Sequence, residues 1–476
     1  MKGEQAIHTA APMRRIRRIH FVGIGGAGMS GIAEVLHNLG YQVSGSDLKQ
    51  TSVTRRLSEL GIEIKIGHRP EYAEDANVVV TSSAISQNNP EVQEAVARHI
   101  PVIPRAMMLA ELMRFKTGIT VAGTHGKTTT TSLLANIFGD AGLKPTFVVG
   151  GKVNSTGTNA RLGDSRYFIA EADESDASFL YLTPTISVVT NIDADHMANY
   201  QNDFNVLRQT FIQFIRRLPF YGLAVLCIDD DNIRAILPDI TCPVLTYGFS
   251  EDADFRIKDY EQNGLHSRFM VVPKSDKAFT VNLNLAGKHN ALNATAAIAV
   301  AFDCDISVES ICKTLQSFSG IGRRCQVYGQ ITLDNGNKVT LVDDYGHHPR
   351  EVSVTYEALK NAWPGRRVVL AYQPHRYSRT EELFEDFANV LSGADALVML
   401  EVYPAGEEPI PGADSKALCR AIRSRGKVEP VYVENLDAAL ELLPNILQDG
   451  DILVSQGAGD VEQIIHRLVK KFGEKT

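Results

Sequence analysis

In the stretch VAGTHGKTTTT, Val121 to Thr131, a lysine follows a glycine and precedes a run of threonines. Residues of these types at this spacing can hold a phosphate. Gly123 and Gly126 let backbone N–H groups turn inward on an anion, and Lys127 adds a compact positive charge beside the positive end of the helix expected to start there. Thr128 offers a hydroxyl to magnesium. Val121 stands where the full G-x-x-x-x-G-K-[ST] pattern wants glycine, so the loop is a shortened variant. The bland alternative is a hydroxyl-capped helix start with a surface lysine.

A second glycine loop opens the chain. GIGGAGMSG, Gly23 to Gly31, holds Gly23, Gly25 and Gly28 in a G-x-G-x-x-G between an expected strand and helix, and Asp47 ends the next strand. Such glycines permit close approach of a pyrophosphate, and the acid is placed to bond a ribose. The pattern does not separate NAD from a UDP-sugar. EADESD, Glu171 to Asp176, puts four carboxylates after an apolar run, and NIDADH repeats the placement with Asp193, Asp195 and His196. Alone, either is a solvated acidic turn. Beside a phosphate loop, one or two of these groups are expected to hold magnesium, with the nitrogen of His196 the weaker ligand. GKHNALNATAA starts a helix at which Asn290 is explained equally well as a cap. DDYGHHP and QPHRYSRT crowd Tyr345, His347, His348, His375, Arg376 and Arg379 onto two loops, where paired arginines suit a carboxylate or phosphate.

These residues need strands to carry them. Apolar runs of strand length alternate with helical-period segments along all 476 residues, the pattern of parallel sheets flanked by helices. We expect three α/β domains, at 1–116, 117–323 and 324–476, with a helix AMMLAELMRF closing the first around Phe115 and short alternating strands between Asp252 and Leu285. The chemistry-bearing residues fall after strands in all three, where ligands of open α/β sheets bind, so a composite site is expected. A net charge of -8 argues against nucleic acid as the main partner. Cys227, Cys242, Cys304, Cys312, Cys325 and Cys419 form no C-x-x-C pair, which suits a reducing compartment. MRRIRRIHFVGIGGAGMSGIA reads as a strand and turn rather than a secretory signal, and no apolar run approaches membrane length, so no membrane partner and a cytoplasmic location are expected.

Taken together, GTHGKTTT, EADESD, the DH after NIDA, HNALNA, GRR, DDYGHHP and QPHRYSR resemble the Mur ligases of peptidoglycan precursor synthesis, from about Ile19 to Gly459. The resemblance implies a Rossmann-like N-terminal domain for UDP, a central P-loop ATPase-type α/β domain and a Rossmann-like C-terminal domain. It implies ATP and Mg2+ as cofactors, UDP-N-acetylmuramate and L-alanine as substrates, and leaves monomer or homodimer open. By this resemblance Lys127, Glu171 and His196 are catalytic, with Thr128, Glu171 and His196 around the metal. Gly123, Thr124, His125, Gly126, Lys127, Thr128 and Thr129 cradle the nucleotide phosphates. His289, Asn290 and Asn293 lie at the adenine, Arg324 at a phosphate and Asp344 at the ribose. Gly25, Gly26, Gly28, Met29, Ser30, Asp47, His68, Ser82 and Ser83 take the UDP portion, while Tyr345, His347, His375, Arg376 and Arg379 take the amino acid.

Two departures stand out. Met197 to Leu218 contains no lysine, so the carbamylated lysine of several sibling ligases is not expected. Cys325 replaces the usual aromatic residue after GRR; it is expected to pack as a small hydrophobe, although neighbouring arginines could lower its pKa. The implied chemistry is phosphorylation of a carboxylate by ATP and attack by an amine. A family ligase that joins a peptide, a nicotinamide-dependent oxidoreductase and a nucleotide-sensing regulator are the rival readings. The oxidoreductase leaves Lys127 unexplained, and the regulator leaves Arg376 and Arg379 without a role.

Overall fold

The computed structural model describes residues 13, 15–82, 84–114, 116–150 and 158–473. Ser83 and Phe115 lie outside the described residues. Three sheets carry the chain. The first is five-stranded, in the order Glu63–Ile66, Gln42–Asp47, Arg18–Val22, Val78–Thr81, Val102–Pro104, and all its pairs are parallel. Its central strand buries Ile19, Phe21 and Val22 completely, as a strand covered on both faces must.

In the second sheet the strand Thr117–Ala122 lies between Ile186–Val189 and Tyr167–Glu171, parallel to both. Leu223–Cys227 and Val244–Gly248 extend it on one side, Thr146–Val148 and Ala160–Arg161 on the other. This order puts the turn after Ala122 between the ends of the strands that lead to EADESD and NIDADH. The expected short strands follow as Phe255–Asn263, His266–Pro273 and Phe279–Leu283. The third sheet runs Gln326–Thr332, Lys338–Asp344, Ile452–Gln456, Val368–Tyr372, Ala396–Leu400, Val431–Val433, antiparallel only at its first pair.

By contacts the chain divides into two compact units. The first holds the chain up to Lys258 together with 270–281 and 292–318; the second holds 259–269, 282–291 and the chain from Ser319. Two segments expected in the central domain thus pack with the C-terminal one. The helix expected to close the first domain spans Arg105–Met113. Among the described residues, no helix is long and apolar enough to cross a membrane.

Candidate active site

The phosphate loop is built by the two glycines that the sequence singles out. Gly123 has φ +122° and Gly126 φ +84°, conformations costly for any other residue, and a Cβ on Gly123 would lie 2.9 Å from the Asn191 carbonyl oxygen. The helix Lys127–Asp140 follows, with no side-chain cap at Gly126. Its first N–H groups therefore face outward as an anion site. The loop's earlier amides are committed elsewhere. Thr124 N–H donates to the Asn191 carbonyl (3.2 Å) and His125 N–H to Asn191 Oδ1 (2.8 Å). Thr190 Oγ1 and Asn191 Nδ2 return hydrogen bonds to the His125 carbonyl at 2.6 and 3.0 Å. Thr124 and His125 are thus brought to the site, but their amides anchor the loop to the strand end before NIDADH. Asn293 packs its amide against Gly126, while Thr128 and Thr129 are nearly buried at the helix start.

Lys127 is folded back across this loop. Its Nζ donates to the carbonyls of Gly123 (2.6 Å) and Thr124 (3.1 Å) and to Glu174 Oε1 (2.8 Å). Glu174 is the principal residue that the sequence reading missed, since EADESD contains four carboxylates and nothing in their order says which one faces the lysine. Burial pushes Glu174 up to about 7 against the pull of the Lys127 ammonium, and Asp173 adds to the rise. Burial also opposes the charge on Lys127, yet Glu174, Asp173 and Glu171 together raise its pKa. The lysine is the more firmly charged partner because several carboxylates surround it. Below about pH 7 the neutral Glu174 holds Lys127 less tightly and repels a triphosphate less. ATP affinity is therefore expected to fall as pH rises from 6 to 8, and Glu174→Gln to flatten that slope. Titration of ATP binding across this range checks it; an unchanged slope in the variant would remove Glu174 from the loop's charge balance.

Glu171 ends its strand on the other side, with Oε1 accepting from Gly150 N–H at 2.7 Å. His196 has φ +55° and lies 3.6 Å from Asp195; His125 lies 3.4 Å from Asp193. The donor set of Thr128 hydroxyl and Glu171 carboxylate is the hard-oxygen chemistry that magnesium takes, and the His196 nitrogen is its less suitable member. Glu171→Ala should therefore raise the magnesium concentration for half-maximal activity more than His196→Ala does. A magnesium titration giving the reverse order would overturn this ranking.

On the first sheet, Gly25 N–H donates to Asp47 Oδ2 at 2.8 Å, so the glycine loop and the expected ribose acid meet directly. The helix Ala27–Asn38 begins without a side-chain cap at Gly26. Met29 and Ser30 lie in the first turn of this helix with buried side chains, and both amides donate to the Gly26 carbonyl, at 3.0 and 2.9 Å. His68 is held by a buried carboxylate: its Nδ1 lies 2.7 Å from Glu91 Oε1, while His20 Nε2 and Ser46 Oγ donate to Oε2 at 2.6 and 2.9 Å. Burial alone would raise Glu91, but these three bonds hold it below the ordinary carboxylate range. Ser82 follows the strand Val78–Thr81 at the same edge.

The second unit gathers its own cluster. Arg323 braces the fold, bonding Asp343 (3.1 Å), Glu462 (2.6 Å) and the Gly457 carbonyl (2.7 Å). Both arginines lie over the Tyr345 ring, Arg323 at 5.0 Å and Arg324 at 5.3 Å from its centroid, and Arg324 also approaches Glu351 at 4.0 Å. Burial drives His289 down to about 4, against the pull of Asp344 and with the help of Arg324, which keeps the imidazole neutral. Asn290 donates from Nδ2 to the Ala286 carbonyl, a local bond of the helix start. Asp344 is 5% exposed and accepts from Cys325 N–H, Gly346 N–H, Gln456 Nε2 and Thr355 Oγ1. It brackets these loops, so a ribose hydroxyl would have to compete for it. Of the residues expected at the amino acid, Tyr345, His347 and His375 lie beside one another. Tyr345 and His347 are 5.4 Å apart by ring centroids, and His347 and His375 5.8 Å. Tyr403, which the sequence did not single out, stacks on His375 at 5.6 Å. Arg376 is exposed at φ +72° and 3.9 Å from Glu407, whereas Arg379 is buried. Cys325 packs against the sheet core, and burial, then Asp344, pushes its thiol up to about 12. The neighbouring arginines do not make it a reactive thiolate.

A phosphate loop and a glycine loop at the carboxyl ends of parallel sheets define a nucleotide-using α/β enzyme. The chain belongs to the Mur ligase family: models of the Mur ligase catalytic domain, middle domain and glutamate ligase domain match residues 18–117, 121–301 and 323–459. It is accordingly an ATP-dependent amide-bond-forming ligase of peptidoglycan precursor synthesis, acting on UDP-sugar substrates. It is similar to UDP-N-acetylmuramate-alanine ligase from Thermotoga maritima, 27% identical over 95% of this chain and 98% of that one, with a TM-score of 0.81. UDP-N-acetylmuramate:L-alanyl-gamma-D-glutamyl-meso-diaminopimelate ligase from Neisseria meningitides is 29% identical over 65% of this chain and all of that one, with a TM-score of 0.60. A murein peptide ligase from Psychrobacter arcticus shares the fold, at 22% identity over 97% and 99% of the two chains and a TM-score of 0.72.

Proposed function

We propose that the chain joins L-alanine to the lactyl carboxylate of UDP-N-acetylmuramate, giving UDP-N-acetylmuramoyl-L-alanine, ADP and phosphate. The observation that carries this reading is the likeness, over nearly the whole of both chains, to the alanine ligase from Thermotoga maritima. The γ-phosphoryl group of ATP passes to a carboxylate oxygen and ADP leaves. The alanine amine then attacks the carbonyl carbon, the carbon–oxygen bond to phosphate breaks, and the amine proton is lost to solvent. An oxide is a poor leaving group at neutral pH, and phosphate is a good one. Lys127 and the uncapped helix start stabilise charge on the transferring group, where most of the rate gain lies. Thr128, Glu171 and His196 would hold magnesium, which when bound neutralises phosphate charge. On the substrate side, Gly25, Gly26 and Gly28 would approach the diphosphate, with Asp47, His68 and Ser82 around the uridine. Tyr345, His347, His375, Arg376 and Arg379 would take the alanine.

The second reading, a ligase that joins a tripeptide to UDP-N-acetylmuramate, draws on the likeness to the enzyme from Neisseria meningitides. Phosphate release from ATP, measured with UDP-N-acetylmuramate and each amino acid or the tripeptide in turn, separates the two. Release that depends on L-alanine is expected, and release only with the tripeptide would replace this reading by the second. If the lactyl carboxylate carries heavy oxygen, one label should appear in the released phosphate, because that oxygen becomes the bridge to phosphorus. Label confined to the amide would rule out the acyl phosphate.

A further inference from the structure

Arg105 occupies the junction of the first two sheets. It begins the helix that follows the edge strand Val102–Pro104, and its Nη2 donates to Asp173 Oδ2, of EADESD, at 3.0 Å. The same guanidinium lies over the glycine loop. A Cβ added at Gly28 would fall 2.6 Å from Nη1 and 3.2 Å from Cδ and Cζ, so the glycine at this position is what admits the arginine. Its side chain is 20% exposed, and Asp173 is its hydrogen-bonded partner among the described residues. Asp173 in turn accepts from Ser175 N–H at 3.1 Å and lies close enough to Lys127 to feel its charge.

We propose that Arg105 is a diphosphate-binding residue that exchanges Asp173 for the diphosphate of the nucleotide-sugar. The inference rests on the reading of the glycine loop as the UDP site. An uncapped helix start and a guanidinium meet at Gly28, and a fork of N–H donors matches two phosphate oxygens as it matches a carboxylate. With the diphosphate absent, Arg105 takes the nearest anion, which belongs to the ATP-binding sheet. With the diphosphate present, Asp173 is released beside Lys127 and Glu174. Nucleotide-sugar binding then changes the charge around the phosphate loop, and by linkage each nucleotide alters the affinity for the other by the same factor.

The test is the affinity for UDP alone, by calorimetry, of the full chain and of Arg105→Ala, Arg105→Lys and Asp173→Asn. Loss of the guanidinium should weaken UDP roughly 10- to 100-fold, the worth of a charge-assisted contact, and lysine should restore part of it. Asp173→Asn should do the opposite, tightening UDP by about 2- to 5-fold, because it removes a competitor whose partly exposed ion pair is worth little more. A purely structural brace predicts that both substitutions, breaking the same bond, weaken UDP together, and that result would overturn the exchange. So would unchanged affinity in Arg105→Ala. Failure of the unsubstituted chain to bind UDP is a separate outcome: it rejects the glycine loop as the UDP site and this inference with it.

Discussion

Lys127→Ala is expected to abolish ligation while leaving affinity for the UDP substrate largely unchanged. The ammonium is the positive side chain placed across the phosphate loop, between the carbonyls of Gly123 and Thr124 and the carboxylate of Glu174. Removing one preorganised charge from a transferring group typically costs on the order of 10²- to 10³-fold in kcat. The fold tolerates the change because Glu174, already raised to about 7 by burial, goes neutral once its ammonium is gone. The substrate's UDP portion is assigned to the glycine loop of another sheet, so this charge reaches it only through Asp173, whose partly exposed ion pair with Arg105 is worth little. Steady-state kinetics with a parallel UDP titration checks both halves, and loss of both together would contradict the division of labour.

Arg379→Ala is expected to raise the KM for L-alanine by about 10- to 100-fold. Alanine offers a carboxylate, a methyl group and an amine that must stay free to attack, so recognition falls on the carboxylate. A charge-assisted pair with it is worth roughly 1.5 to 3 kcal/mol. Arg379→Lys should rescue only part, because an ammonium lacks the planar fork. Burial of Arg379, beside the fully buried Tyr372 whose hydroxyl feels its charge, sets the competing outcome. If Arg379 merely braces the loop after QPH, the KM values for ATP and alanine will rise together. An unchanged KM for alanine would remove Arg379 from the pocket.

Much of the positioning was legible in the sequence because backbone demands leave a mark on residue type. Gly123 and Gly126 adopt positive φ, and Gly25 brings its amide to Asp47, so glycine spacing located both loops. Side-chain partnerships left no such mark. Glu174 is one of four carboxylates in EADESD, and only the turn of the chain decides that it, rather than Asp176, meets Lys127. Glu351, Tyr403 and Arg105 each stand alone in their segments, and their roles come from what the fold brings beside them. At Met29 and Ser30, which follow the glycines, the first turn of the helix turns the side chains inward and pairs the amides with Gly26. Cys325 likewise followed its burial rather than its arginine neighbours in sequence, since Arg323 is drawn away to Asp343 and Glu462.

The most direct measurement offers the enzyme UDP-N-acetylmuramate, ATP and magnesium with equal concentrations of L-alanine and the free tripeptide, and identifies the product by mass. The expected result is UDP-N-acetylmuramoyl-L-alanine, formed with one phosphate released per amide bond. A tripeptide-bearing product as the main species, or phosphate release with no new amide, would contradict the proposed function.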